Sequence, residues 1–209
     1  MIEKLIAGVK RFQKNFFLGR KALFSELATG QHPEFLFITC SDSRIDPNLL
    51  TQTVPGQLFI CRNAGNIVPP HSTFTGGITA SIEYAVCVLG IKHIIVCGHS
   101  DCGAMAAALN TSELGDLPHV KTWLGHSRGA VEATRARCNC GESSDTNDVR
   151  QLHMLIEENV LQQLQHLRTH PSVAARIATG DIQLHGWLYD IGTGDVHVAN
   201  EQNREFLPL

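Results

Sequence analysis

The chain has 209 residues, 43% hydrophobic and 18% charged, with a net charge of −3. That balance describes a globular chain of one large domain, or one domain with an appendage, and offers no basic surface to nucleic acid. The seven cysteines are scattered and odd in number, which fits metal ligands or free thiols better than a disulfide framework. No signal-peptide pattern opens the sequence and no apolar run is long enough to span a bilayer, so the expected compartment is the cytoplasm.

Residues 2–28 read as two amphipathic helices. Ile2, Leu5, Ile6, Val9 and Phe12 make one apolar face, Ala22, Leu23, Leu27 and Ala28 another, and Gly30 stops the second. The apolar run at 35–39 reads as a buried strand, and a second strand covers 58–61 after the Pro55-Gly56 turn. A helix from about Ile78 to Leu89 ends at Gly90, a third strand covers 93–97, and a short Ala-rich helix follows Gly103. Residues 118–137 are weakly periodic but helical in character, and Cys138 to Ser144 is a polar loop. The clearest helix runs from Asp148 to Arg168, with Leu152, Leu155, Ile156, Val160, Leu164 and Leu167 on one face and Pro171 beyond its end. Ile182–Tyr189 and Val196–Ala199 flank Gly192-Thr193-Gly194 as a hairpin. Together these predict an α/β fold: a mostly parallel central sheet with flanking helices, an N-terminal helical arm over 1–30, and a body over 31–209 carrying a C-terminal antiparallel strand.

Two clusters carry the chemistry. Cys40-Ser41-Asp42-Ser43-Arg44 directly follows the first strand, and His99-Ser100-Asp101-Cys102-Gly103 directly follows the third. In a parallel sheet, ligands collect at the carboxyl ends of strands where the crossovers diverge. Two thiols and one imidazole brought together there, with no fourth Cys or His beside either cluster, form a catalytic zinc set with one open position. The bland alternative is two buried thiols and a satisfied histidine; Cys61, Cys87 and Cys97 are read that way. Asp42 and Arg44 are either a surface ion pair or a unit in which the guanidinium keeps Asp42 ionised beside the metal, where Asp42 could orient bound water or ligate the metal itself. Cys138 and Cys140 could serve a redox-sensing or purely zinc-binding role. Gly98-His99-Ser100-Asp101-Cys102 also has the outline of a serine-hydrolase elbow, with Asp190 or Asp195 and His197 following, but Cys102 replaces the small residue the elbow needs.

The combination of C-S-D-S-R, a long gap and H-S-D-C-G-A closely resembles the β-class carbonic anhydrases. The resemblance runs nearly end to end. It includes Gly30-Gln31-His32-Pro33, Arg62-Asn63-Ala64-Gly65-Asn66, Ile82-Glu83-Tyr84-Ala85 and His185-Gly186-Trp187. It implies reversible hydration of carbon dioxide to bicarbonate, zinc on Cys40, His99 and Cys102, and a catalytic Asp42–Arg44 dyad. It also implies that Gln31 meets substrate across the interface of a homodimer or a dimer-built oligomer, that Phe59 and Tyr84 wall the substrate pocket, and that Gly103 offers a backbone N–H beside the zinc. A same-fold hydrolase of a carbon dioxide analogue such as carbon disulfide would use the same residues. Members with a non-catalytic bicarbonate site carry Trp three residues before the first Cys, with an Arg and a Tyr. Here that position is Phe37, although Arg62 and Tyr189 are present, so the chain looks more like the plant-type members, and within the bacteria like the cyanate-associated subgroup. His71, in the Pro-rich loop, reads as a solvated histidine rather than a proton shuttle.

Overall fold

The computed structural model describes residues 1–73, 75–138 and 145–209, without the side chains of residues 113 and 145–147. Cys140 lies outside the described residues. The chain divides into two compact units, Met1–His32 and Pro33–Leu209. In the first, α1 (Ile2–Arg11) runs through a π-helical stretch and a 3-10 turn into α2 (Lys21–Leu27). Phenylalanines join its parts: Phe17 lies 4.9 Å from Phe24, and Phe12 meets Phe24 edge-on at 5.8 Å. No residue of these helices is buried, and Ile2, Leu5, Ile6 and Val9 remain exposed.

The second unit holds a six-stranded sheet in the order β2-β1-β3-β4-β5-β6. Strands β1 (Phe35–Cys40), β2 (Leu58–Asn63), β3 (His93–His99) and β4 (Gln183–Tyr189) are parallel; β5 (Val196–Asn200) and β6 (Glu205–Pro208) are antiparallel. Runs such as Phe-Leu-Phe-Ile-Thr-Cys are rich in branched and aromatic residues and buried on both faces, as parallel central strands require. The chain leaves β1 for β2 on one side and returns to β3 on the other. Their carboxyl ends therefore form the switch point where a crevice opens.

Helices α4 (Gly77–Cys87), α5 (Gly103–Leu109), α6 (Pro118–Leu124), α7 (Arg128–Arg137), α8 (Asp145–Thr169) and α9 (Pro171–Ala178) complete the unit. The 25 residues of α8 span about 37 Å. Its Val160, Leu164 and Leu167 join the core with Leu36, Ile38, Ile94 and Val96. The sheet admits α8 closely at Gly98, where a Cβ would stand 2.9 Å from Val160. Three elements were not foreseen from sequence. Helix α9 follows α8 at once because Pro171, read as the end of the long helix, is the first residue of a new one. The five-residue α3 (Pro47–Thr51) is too short to show a period; it exists because Asp46 Oδ1 accepts the Leu49 N–H at 3.1 Å and Pro47 opens the helix. Strand β6 is four residues long, and of these only Phe206 packs on the core. Among the described residues, no helix is long and apolar enough to cross a membrane.

Candidate metal centre

The last residue of β1 is Cys40, the last of β3 is His99, and Cys102 caps α5. Adjacent parallel strands ending together bring these three side chains to one point. Their Sγ and ring-nitrogen atoms all lie within 4.8 Å of one another, all three residues are buried, and the two Sγ atoms are 4.0 Å apart. His99 Nδ1 faces the Ser100 carbonyl at 2.9 Å, which places the ring proton there and turns the Nε2 lone pair into the cluster. That Nε2 is buried with no hydrogen-bond partner. An orphaned buried imidazole nitrogen is costly unless something else accepts its lone pair. With two thiols beside it, the donor set fits a zinc ion.

The electrostatics point the same way. Cys40 is held well below the usual thiol range, first by the hydrogen bond from Cys102, then by His99 and the N–H groups of Gly65 and Asp42, against the effect of burial. Cys102 is pushed up, first by Cys40 and then by burial, although the Ala104 and Met105 amides of α5 oppose this. Two thiolates this close repel, and a cation between them removes the conflict. The isolated core thiols behave differently: burial pushes Cys97 up to about 12 and raises Cys61. Cys87 departs from the buried reading made from sequence, since the last turn of α4 carries it on the exposed side.

Asp42 and Arg44 form one tight structure at the mouth of the cluster. Asp42 Oδ1 accepts from the Arg44 backbone N–H at 2.9 Å and from its Nε at 3.0 Å, while Oδ2 accepts from Nη2 at 2.8 Å. The Arg44 side chain, then its backbone N–H, holds the Asp42 carboxyl well below the usual carboxylate range. Asp42 Oδ2 stands 3.9 Å from His99 Nε2. Sequence reading missed two supports. Asp101, left-handed at φ 54°, accepts from Arg44 Nη1 on Oδ2 at 2.8 Å and from Nη2 on its carbonyl at 2.9 Å; an acid between His99 and Cys102 was the available signal. Arg62 spans the Cys40–Ile45 turn, donating to the carbonyls of Cys40, Asp42 and Ile45 at 3.1, 2.6 and 2.8 Å.

A family model described as carbonic anhydrase matches residues 35–196, which include every member of this constellation. The chain belongs to the carbonic anhydrase family. It is 48% identical to a carbonic anhydrase of Pseudomonas aeruginosa, over 98% of this chain and 90% of that one. It is 43% identical to carbonic anhydrase 1 of Escherichia coli O157:H7, over 100% and 92%. The β-carbonic anhydrase CcaA superposes with a TM-score of 0.93 at 41% identity, covering 100% of this chain and 92% of that one. The chain is thus an enzyme of the β class, whose reaction is the hydration of carbon dioxide to bicarbonate.

Within this carbonic anhydrase chain the remaining expected residues do not all meet at the cluster. Gly103 opens α5 directly after Cys102. Phe59 pairs in register with Leu36, while Asn63 pairs with Cys40, so Phe59 sits about 13 Å back along the strand. There it packs on Tyr84, ring centroids 6.1 Å apart, and Tyr84 stays 44% exposed. Gln31 belongs to the N-terminal unit. Phe37 is buried, edge-on to Trp187 at 5.9 Å. His71 packs on His170, ring centroids 5.7 Å apart. The hydrolase reading of Ser100 fails on geometry: its hydroxyl accepts the Ile191 N–H at 2.9 Å, the left-handed residue of the turn is Asp101, and Asp190 Oδ1 is taken by the N–H groups of Gly192 and Thr193. Cys138 Sγ lies 3.9 Å from Met154 Sδ.

Proposed function

We propose that the reversible hydration of carbon dioxide takes place at the Cys40–His99–Cys102 cluster, with zinc held by those three residues. The observation that carries this reading is the buried, unpartnered His99 Nε2 between two thiols. Zinc held there would lower the pKa of bound water and so supply a hydroxide nucleophile, two thiolates making that water less acidic than three imidazoles would. Asp42 Oδ2, held ionised by Arg44, accepts a hydrogen bond from the attacking water and aims its lone pair at carbon; this is a positioning effect. Arg44, clamped by both Asp42 and Asp101, fixes the direction of that acceptor. Gly103, the first residue of α5 after Cys102, would offer its N–H beside the metal. With both Asp42 oxygens engaged by Arg44, a metal held by Cys40, His99 and Cys102 would keep a position open for water or substrate.

Phe59 and Tyr84 are removed from their own cluster along the strand, and the arm carries an exposed apolar face. These features support a shared site in a homodimer or dimer-built oligomer, where Phe59, Tyr84 and Gln31 of one copy line the pocket of another. Structures from Sordaria macrospora, described as tetrameric β-carbonic anhydrases, match at 30% identity and TM-score 0.82, over 94% of this chain and 95% of that one. Cys40, Cys61, Cys87, Cys97 and Cys102 form no disulfide, which suits a role in carbon utilisation in a reducing cytoplasm. Stopped-flow hydration and a zinc assay on one sample test the assignment, and sedimentation tests the oligomer. Active protein without zinc, or a stable active monomer, would overturn the respective part.

A further inference from the structure

Helix α8 carries polar residues inside its apolar stripe. Asn159 and Gln163, one turn apart and fully buried, sit beside the core residues Val160 and Leu164. Burying two amides costs free energy unless every donor and acceptor is used. Here both carbonyl oxygens and one N–H of each amide are engaged. Gln163 Oε1 accepts the Val68 N–H at 2.9 Å, so its Nε2 must face the other way, where it donates to Asn159 Oδ1 at 2.8 Å. Asn159 Oδ1 also accepts the Ser127 hydroxyl at 2.8 Å, which leaves Nδ2 to donate to the Gly65 carbonyl at 3.0 Å. The chain of donors runs in one direction and ends on one residue.

That residue touches the cluster. The Gly65 N–H donates to Cys40 Sγ at 3.3 Å. Gly65 is left-handed at φ 81°, and a Cβ there would stand 2.7 Å from the Met105 side chain, so its backbone is tightly determined. The rest of the 63–68 turn is fastened from other sides: Asn63 exchanges two hydrogen bonds with Ile67, and Trp123 Nε1 donates to the Ala64 carbonyl at 2.8 Å. Among the described residues, it is the Asn159 amide that fastens the Gly65 carbonyl.

We propose that Asn159, with Gln163 behind it, is a positioning residue for the metal centre: it sets the Gly65 N–H that partly neutralises and orients the Cys40 thiolate. Partners of a metal ligand typically govern metal affinity by about 10–100-fold. The proposal rests on Cys40 being a zinc ligand, and the experiment separates the two. Zinc content and chelator-competition affinity are measured on the full-length protein, on Asn159→Asp and on Glu158→Gln, together with melting temperature, kcat and KM.

Asn159→Asp keeps the acceptor for Ser127 and Gln163 and, ionised, sets a carboxylate oxygen against the Gly65 carbonyl in place of the N–H donor. It should fold, lose about tenfold or more in zinc affinity, and lower kcat with KM for carbon dioxide within about twofold. Glu158→Gln perturbs a neighbouring buried polar contact of α8, to Arg137 and Arg204, without touching Gly65. It should lower the melting temperature and leave zinc affinity within about twofold. Unchanged zinc affinity in Asn159→Asp, or an equal loss in Glu158→Gln at a matched melting temperature, overturns the proposal. If Asn159→Asp does not fold, Gln163→Glu carries the same criterion, since it keeps the acceptor for Val68 and removes only the donor to Asn159. A parent protein without zinc, or one whose zinc survives Cys40→Ser, would instead bring down the reading of the metal centre itself.

Discussion

Strand β3 begins and ends with a histidine, and the two ends differ in one respect that decides chemistry. At the amino end, His93 Nδ1 meets His185 Nε2 at 3.2 Å and the His93 ring stacks on Phe35 at 5.3 Å. A cavity of about 390 Å³ opens beside them, lined by Phe35, Phe37, Ile95 and Trp187 among others. At the carboxyl end, His99 Nε2 has no partner and faces two thiols. The apolar cavity lies at the satisfied end and the donor cluster at the unsatisfied one. A histidine on a sheet becomes a candidate ligand through an unpaired ring nitrogen among other donors, and a neighbouring cavity does not substitute for that.

The sharpest way to break this contrast is to remove a donor from the carboxyl end. Cys102→Ser or His99→Asn should lose zinc and activity together, by more than the roughly 10–100-fold that loss of a ligand's partner costs. Full zinc with full turnover in either variant would place the metal elsewhere. Next in size is the dyad at the mouth. Asp42→Ala and Arg44→Ala should each lower kcat by about 10²-fold or more, and the double variant should be little worse than either, because each acts only through the other. Strict additivity in that cycle would show two separate roles.

Asp101→Ala removes an exposed prop on Arg44, and such pairs are worth little, so turnover should fall by no more than about fivefold. A loss as large as that of Arg44→Ala would promote Asp101 to a member of the dyad. Stability against pH reads the buried imidazoles away from the cluster. Burial lowers the pKa of His185, His166 and His170, so the unfolded chain binds more protons than the folded one just below its own pKa of about 6.5. Their contribution is complete above that pH and is lost as pH falls toward the depressed folded values. His166 shows the mechanism: Nδ1 donates to the Val68 carbonyl at 2.7 Å and Nε2 accepts from Gln162 at 3.2 Å, so a second ring proton would oppose a donor. Melting curves from pH 7.5 to 5 should fall, and less steeply in His166→Gln; a rise on acidification would reverse the assignment. The smallest effect is expected at the amino end of β3. His93→Gln should leave turnover within about twofold and shift the melting temperature by about 2–4 °C, the equivalent of one hydrogen bond of about 1 kcal/mol. A loss of zinc there would erase the distinction between the two ends.

The alternation and apolar runs of β1, β3 and α8 were legible because burial on both faces of a parallel strand, or along one stripe of a helix, writes itself into local composition. For the same reason Cys40 and His99 could be placed at strand ends, and Cys102 at a helix start, from spacing alone. Residues that act through long-range contacts left no such mark. Asn159 and Gln163 look like interruptions in an apolar stripe until the 63–68 turn is laid against them. Arg62 looks like a free cation until it spans three carbonyls of the Cys40–Ile45 turn. Phe59, expected at the pocket, lies back along β2 from its own cluster because register is set by pairing between strands, and Tyr84 of α4 packs on it there. Local sequence thus determined which elements form and which side chains stand at their ends. Only the tertiary structure decided which donors are satisfied and which are left facing one another, because hydrogen-bond satisfaction belongs to pairs of residues far apart in the chain.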